Sequence, residues 1–291
     1  MRCIRHAGIL FDFLLISFRN TTRFPWKESL DMLSVAIEAA KEAGKFLKRS
    51  VGKVKSIEMK KDEERNLVSE IDRESEAMII RTIKRRFPGH AILAEESGGT
   101  ETSAEYKWVI DPLDGTTNFL HGLPIFSVTI GIEWKGEIVA GVVFDPNSDE
   151  LYTAERGSGA YLNGTRLQVS RASRLIDSLV VTGFPYSIAD NPDHAVEHFE
   201  HFLMECQGIR RLGSAALDLS YVAAGRFDGF WEVSLNPWDM AAGILLVKEA
   251  GGRVTDFSGA PASIYKKQIL ASNAAIHESM LHVLRKVTSR Y

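Results

Sequence analysis

Residues 106–119 read YKWVIDPLDGTTNF, running from an apolar strand into two aspartates and then into a helix start. YKWVI (106–110) is a short continuous apolar run, the pattern of a buried strand. Asp111 and Asp114 follow it, three apart across Pro112, so a turn there can present both carboxylates and the Leu113 carbonyl to one side. Gly115-Thr116-Thr117 then offers backbone N–H groups where a helix begins, a natural cradle for phosphate. Two aspartates at one strand end are costly unless a cation neutralises them. Mg2+ does this with carboxylate, carbonyl, water and phosphate oxygens. Capping would account for one of these acids but not for both, so the stretch points to phosphoryl chemistry.

Two further acidic clusters stand at comparable places. Glu95-Glu96-Ser97 follows the apolar AILA (91–94), and Trp238-Asp239 opens the helical DMAAGILLVKEAGG. Around them, Leu33, Ile37, Ala40, Gly44 and Leu47 recur at helical spacing from Asp31 onward. A second helix is expected over 72–86, stopped by Phe87-Pro88-Gly89. Residues 125–133 and 137–144 are β-rich, with Lys135-Gly136 between them as a hairpin turn, and Asn163-Gly164 marks another. Strands near 178–182, 208–212, 227–232 and 267–271 alternate with helices near 193–205, 214–224, 239–250 and a last one to about 287. The class is α/β or α+β, and periodicity alone leaves the topology open.

The 291 residues carry 45% hydrophobic and 25% charged side chains, which excludes disordered and low-complexity classes. A net charge of −3 gives no global field for nucleic acid. Two cysteines, Cys3 and Cys206, make no disulfide scaffold and suit a reducing, cytoplasmic setting. Residues 1–30 read as an extension, disordered or artificially long. Arg2, Arg5 and His6 precede an apolar run from Ala7 to Phe18, so membrane attachment or export is the rival reading. Asp12 interrupts that run, which is too short to span a bilayer.

Leu113-Asp114-Gly115-Thr116 also resembles the end of the haloacid-dehalogenase-type Asp-x-Asp-Gly-Thr motif. The nucleophile of that motif would fall on Pro112, which cannot be phosphorylated, and Asp111 is one residue out of register. That leaves direct attack by a metal-activated water.

At WVIDPLDGTTNF (108–119) and WDMAAGILLVKEAGG (238–252) the chain resembles the inositol monophosphatase family of Mg2+-dependent, lithium-sensitive phosphatases. LVSEID (67–72) and AEESG (94–98) fit the same pattern, and TGFPY (182–186) and GSAALDLSYVAAGRFDGFWE (213–232) look like its bacterial branch. The resemblance spans about residues 31–287, one phosphatase domain taken to run to 291. It implies a layered αβαβα sandwich, two to three Mg2+ ions and a homodimer. By position, Glu95, Asp111 and the Leu113 carbonyl would hold the first ion. Asp111, Asp114 and Asp239 would hold a second, and Glu95 could touch a weaker third. Asp72 and Thr116 would orient and deprotonate the attacking water. Gly115 and Thr116 would bind phosphate, Gly213, Ser214 and Ala215 would line the substrate site, and Glu232 would accept from sugar or cyclitol hydroxyls. Arg210 is a weaker substrate candidate.

The implied substrate is a small phosphorylated polyol, inositol 1-phosphate first. Histidinol phosphate, fructose 1,6-bisphosphate and 3′-phosphoadenosine nucleotides are alternatives. Some bacterial members also bind transcription antitermination machinery, a partner role that needs no turnover, and no direct nucleic-acid binding is expected. Among decoys, His194-x-x-Glu197-His198 matches an inverted zinc-protease motif with His201 nearby. It reads as a solvated helix face. Cys206, Trp134 and Trp231 read as packing.

Overall fold

The computed structural model describes residues 26–60, 66–99 and 104–288. Helix α1 (Trp26–Ser50) leads through a short hairpin, β1 (Ile57–Met59) and β2 (Leu67–Ser69), into α2 (Glu70–Arg86). Next come β3 (Ala91–Ala94), β4 (Gly98–Gly99), β5 (Tyr106–Asp114), the five-residue α3 (Thr116–Leu120), β6 (Ser127–Trp134) and β7 (Glu137–Asp145). β8 (Glu150–Glu155), β9 (Gly159–Leu162) and β10 (Thr165–Arg166) complete an eight-stranded sheet ordered β10-β9-β8-β7-β6-β5-β3-β4. Only β3 and β5 pair parallel in it. The second half contributes β11 (Leu179–Thr182), α4 (Ala195–Glu205), β12 (Gly208–Arg210), α5 (Ala215–Ala223) and β13 (Gly229–Glu232). It closes with α6 (Pro237–Glu249), β14 (Arg253–Thr255), β15 (Ile269–Ser272) and α7 (His277–Thr288). Its five-stranded sheet is ordered β12-β11-β13-β15-β14.

The layers follow from which apolar faces meet. Met32, Val35, Ala39, Ala43 and Leu47 of α1 pack with Ile79 and Ile83 of α2 on one face of the large sheet. Helices α5 and α6, apolar nearly all round, fill the space between the two sheets. Helices α4 and α7 cover the far face of the small sheet, with Phe202 stacked on Trp231 at 3.8 Å. The result is the expected αβαβα sandwich. α6 docks close on the large sheet because Gly131 and Gly141 have no side chain. A methyl at either would meet Ala241 or Ala242 at 2.5 and 2.9 Å. That contact brings the start of α6, with Asp239, over the acidic end of β5.

Both expected hairpin turns form, with positive φ at Lys135-Gly136 and at Asn163-Gly164. α1 begins at Trp26, so the boundary expected at residue 30 falls inside a helix. The expected disorder of residues 1–25 and the apolar run Ala7–Phe18 lie outside the described residues. The turn expected at Asp111–Asp114 is a bulge inside β5. Asp111 pairs with Thr129 and Asp114 with Ser127, so three steps on β5 match two on β6. Residues three apart in an unbroken strand face opposite ways; the extra residue cancels this and turns both aspartates to one side. Pro112, which cannot donate to a ladder, sits where the ladder is already interrupted.

Candidate active site

The C-terminal end of β5, the starts of α3, α5 and α6, and the loop after β11 enclose a cavity of about 260 Å³. Of the residues singled out in the sequence, Glu95, Asp111, Leu113, Asp114, Gly115, Thr116, Gly213, Ser214, Ala215, Glu232 and Asp239 line it.

Helix starts hold three of the acids. Asp72 is the N3 residue of α2, and its Oδ2 accepts from the Ser69 N–H at 2.9 Å and from Ser69 Oγ at 2.5 Å. Asp239 is the N3 residue of α6, and its Oδ2 accepts from the Asn236 N–H at 2.7 Å. Asp114 Oδ2 accepts from Ser214 Oγ at 2.5 Å and from the Ala216 N–H at 2.8 Å, both in the first turn of α5. Each helix start lends partial positive charge to a carboxylate and fixes one of its oxygens. In Asp72 the other oxygen, Oδ1, receives Thr116 Oγ1 at 3.0 Å. Asp72 is 1% exposed, so it is no solvated helix-start acid.

Four acids of the site are under electrostatic pressure. Burial, then Glu95, Asp114 and Asp239, push Asp111 well above the usual carboxylate range. Asp114 is pushed up to about 6 by burial, against the hydrogen bonds from Ser214 and Ala216. Asp239 is raised by desolvation and by Glu95, and Glu232 goes to about 8, mainly through burial. Lys60 answers part of this excess: its ammonium lies 2.7 Å from Glu95 Oε1 and 2.8 Å from Glu96 Oε1.

The donor set fits Mg2+. It consists of hard carboxylate and carbonyl oxygens whose mutual repulsion calls for a cation. Among the described residues no group of three or more His, Cys, Asp or Glu side chains is gathered closely enough to hold a metal ion by itself. Mg2+ does not need such a group, since it retains waters and shares its shell with substrate phosphate.

Other sequence candidates fall differently. Arg210 is exposed, its guanidinium bonded to the Ile209 carbonyl at 3.0 Å, and its neighbour Arg211 lines the cavity instead. His198 is 2% exposed and packs edge-on against Phe257, so the histidine cluster is not a fully solvated face. Sequence reasoning chose Arg210 over Arg211 and passed over Asp218, Lys60 and Gly183. Gly183 lies within the TGFPY segment, and Asp218 is a single acid at a buried phase of an apolar helix, a signal that was present.

Residues 28–289 match the model of the Inositol monophosphatase family. A protein of Mesorhizobium japonicum named Inositol-1-monophosphatase is 42% identical over 259 residues, 89% of this chain and 97% of its own. One of Pseudomonas aeruginosa named Nus factor SuhB is 45% identical over 259 residues, 87% of this chain and 96% of its own. The crystal structure of extragenic suppressor protein suhB from Bartonella henselae superposes with a TM-score of 0.83. It is 44% identical and covers 88% of this chain and 99% of its own.

Proposed function

The chain belongs to the inositol monophosphatase family, and from that premise we propose that it hydrolyses inositol 1-phosphate to myo-inositol and phosphate without a covalent intermediate. The observation that carries this reading is the convergence of Asp111, Asp114, Asp239 and Glu95 on one cavity beside the Thr116–Asp72 hydrogen bond. As part of the same proposal, Glu95, Asp111, Asp114, Asp239 and the Leu113 carbonyl would hold two to three Mg2+ ions. Bound there, Mg2+ supplies the Lewis acidity that makes water nucleophilic near neutral pH and offsets phosphoryl charge.

The chain's own groups do the rest. Thr116 Oγ1 accepts a hydrogen bond from the attacking water and passes proton density to Asp72 Oδ1, whose position the Ser69 cap fixes. Gly115 and Thr116 present N–H groups to the phosphoryl oxygens. A methyl on Gly115 would lie 2.9 Å from the Ile125 carbonyl and its φ is 98°, so the backbone here needs glycine. Glu232 accepts from hydroxyls of the leaving group. Phosphate monoesters are among the slowest esters to hydrolyse unaided, so positioning and charge neutralisation must together supply a very large acceleration.

We place the protein in the cytoplasm as a homodimer. No helix among the described residues is long and apolar enough to cross a membrane. The deciding experiment is phosphate release from inositol 1-phosphate, histidinol phosphate and fructose 1,6-bisphosphate, with and without Mg2+ and with Li+. A Mg2+-dependent, Li+-inhibited preference for inositol 1-phosphate supports the reading; preference for another ester keeps the chemistry and changes the substrate.

A second reading comes from the relative named Nus factor SuhB, 45% identical to this chain: association with transcription antitermination machinery. A partner retained by the Asp111→Asn protein would make that role independent of turnover.

A further inference from the structure

The cavity has an acid that the phosphate chemistry does not use. Asp218 lines it from α5 and is 1% exposed, and among the described residues neither of its carboxyl oxygens has a hydrogen-bond partner. Buried polar atoms are almost always paired, and an unpaired carboxyl is costly to keep. Nothing in the fold calls for one here. The surrounding helix, AALDLSYVA, is otherwise built to pack, with Leu217, Leu219 and Val222 wholly buried. Glu232 and Asp114 add negative charge around Asp218. Arg211 offsets it through space and not by contact. Asp218 thus has no hydrogen-bond partner among the described residues, and it lines the cavity that a leaving group would enter.

The chemistry of the wall limits what that leaving group can be. A carboxylate only accepts hydrogen bonds, and Glu232 and Asp218 contribute two of them to one cavity. Hydroxyls meet that demand, and they also satisfy a carboxyl that holds its proton, because a hydroxyl both donates and accepts. A second phosphate would face two acids. An ammonium would also donate to these acids, but it would meet Arg211 and Lys267, which line the same cavity.

We propose that Asp218 is a specificity-determining residue, a second hydroxyl acceptor which, with Glu232, selects a neutral polyol as the leaving group. This rests on reading the protein as a polyol-phosphate phosphatase.

The test compares the full-length wild type with Asp218→Leu and Asp218→Asn, in Mg2+, on inositol 1-phosphate and on p-nitrophenyl phosphate, whose leaving group carries no further hydroxyl. Leucine should lower kcat/KM for inositol 1-phosphate about tenfold to a hundredfold, the worth of a hydrogen bond to a charged group. It should leave p-nitrophenyl phosphate within about twofold. The Mg2+ concentration for half-activation should stay unchanged, and the melting temperature should hold or rise, since an unpaired acid has been removed. Asparagine, which keeps one acceptor oxygen, should show the same selective loss at roughly threefold or more, and it decides the matter if the leucine protein does not fold. Equal losses on both substrates, or none on either, overturn the assignment and leave Asp218 structural. If the wild type itself shows no preference for inositol 1-phosphate over p-nitrophenyl phosphate, the polyol reading fails and the role of Asp218 falls with it. If the wild type prefers the polyol and both variants keep that preference, only the role of Asp218 falls.

Discussion

Thr116 Oγ1 donates to Asp72 Oδ1 at 3.0 Å, and the same carboxyl caps α2 by accepting from Ser69 through Oδ2. One residue thus anchors a helix and orients a hydroxyl at the candidate site. Thr116→Ala should cut kcat by about 10²-fold to 10⁴-fold, the usual range for a positioned acid–base group, with little change in melting temperature. Asp72→Asn should cut kcat similarly and also cost about 1 kcal/mol of stability through the weakened cap. Steady-state kinetics paired with thermal melts separate the two; a stability loss with full turnover in Asp72→Asn would contradict the dual role.

Asp111 is buried among other acids, which disfavour its charged form in the chain alone. Asp111→Asn should abolish Mg2+-dependent turnover while the metal-free protein melts at the same or a higher temperature, because Leu113 N–H can still donate to an Asn oxygen as it does to Asp111 Oδ1 at 2.9 Å. Mg2+ should raise the melting temperature of the wild type by mass action and do so much less in the variant. Wild-type-like turnover in Asp111→Asn would refute the metal assignment.

Gly183 makes room for Glu232. A methyl at Gly183 would stand 2.2 Å from Glu232 Oε1, closer than any real contact. Gly183→Ala should displace that carboxylate and raise KM for inositol 1-phosphate by about tenfold, the worth of one charged hydrogen bond. Its kcat on p-nitrophenyl phosphate should move far less. A uniform loss on both substrates would show the damage to be general.

His277 predicts a pH dependence. It is fully buried, with Nδ1 2.8 Å from Ser272 Oγ and Nε2 2.9 Å from Thr255 Oγ1. Desolvation, then the charge of Arg253, hold its pKa down to about 4, against 6.5 for an ordinary histidine. Between those values the unfolded chain binds more protons than the folded one. The neutral imidazole therefore favours folding fully above about pH 6.5, and that contribution is lost as pH falls toward 4, on the order of 3 kcal/mol in all. His198, also held down to about 4 by burial, acts in the same direction. Urea titrations from pH 7.5 to 4.5 should show the stability gap between wild type and His277→Gln narrowing in acid. A constant gap would contradict the assignment.

What could be read without coordinates was local. Asp111 and Asp114 stand out because a strand, two acids and Gly-Thr-Thr are contiguous, and Asp239 because it opens a helix. Capping and catalysis looked like competing explanations for such acids. In the structure Asp72, Asp114 and Asp239 are all held by helix starts, so capping does not count against a role in the proposed chemistry. Burial of Asp72 depends on β5 and α3 packing over it, which no pattern in residues 67–72 reveals. The choice between Arg210 and Arg211 was similarly hidden, because β12 ends at Arg210 and strand alternation gives no phase beyond it. The short β8, β9 and β14 escaped notice because their neighbours in the sheets, more than their own composition, make them strands.

The bulge in β5 has a consequence for how the site can be probed. Its extra residue takes main-chain oxygens out of the ladder: the Leu113 carbonyl is met by Thr116 Oγ1 at 3.1 Å, and the Pro112 carbonyl by Ser75 Oγ at 2.9 Å. What Leu113 offers is thus backbone, and every side-chain replacement there keeps it while disturbing only the core. Substitution scanning would be blind to such a group. Shortening the strand by one residue would not be: a chain reading Asp-Leu-Asp would keep both acids opposite the same partners, Thr129 and Ser127, and draw the spare oxygen back into the sheet.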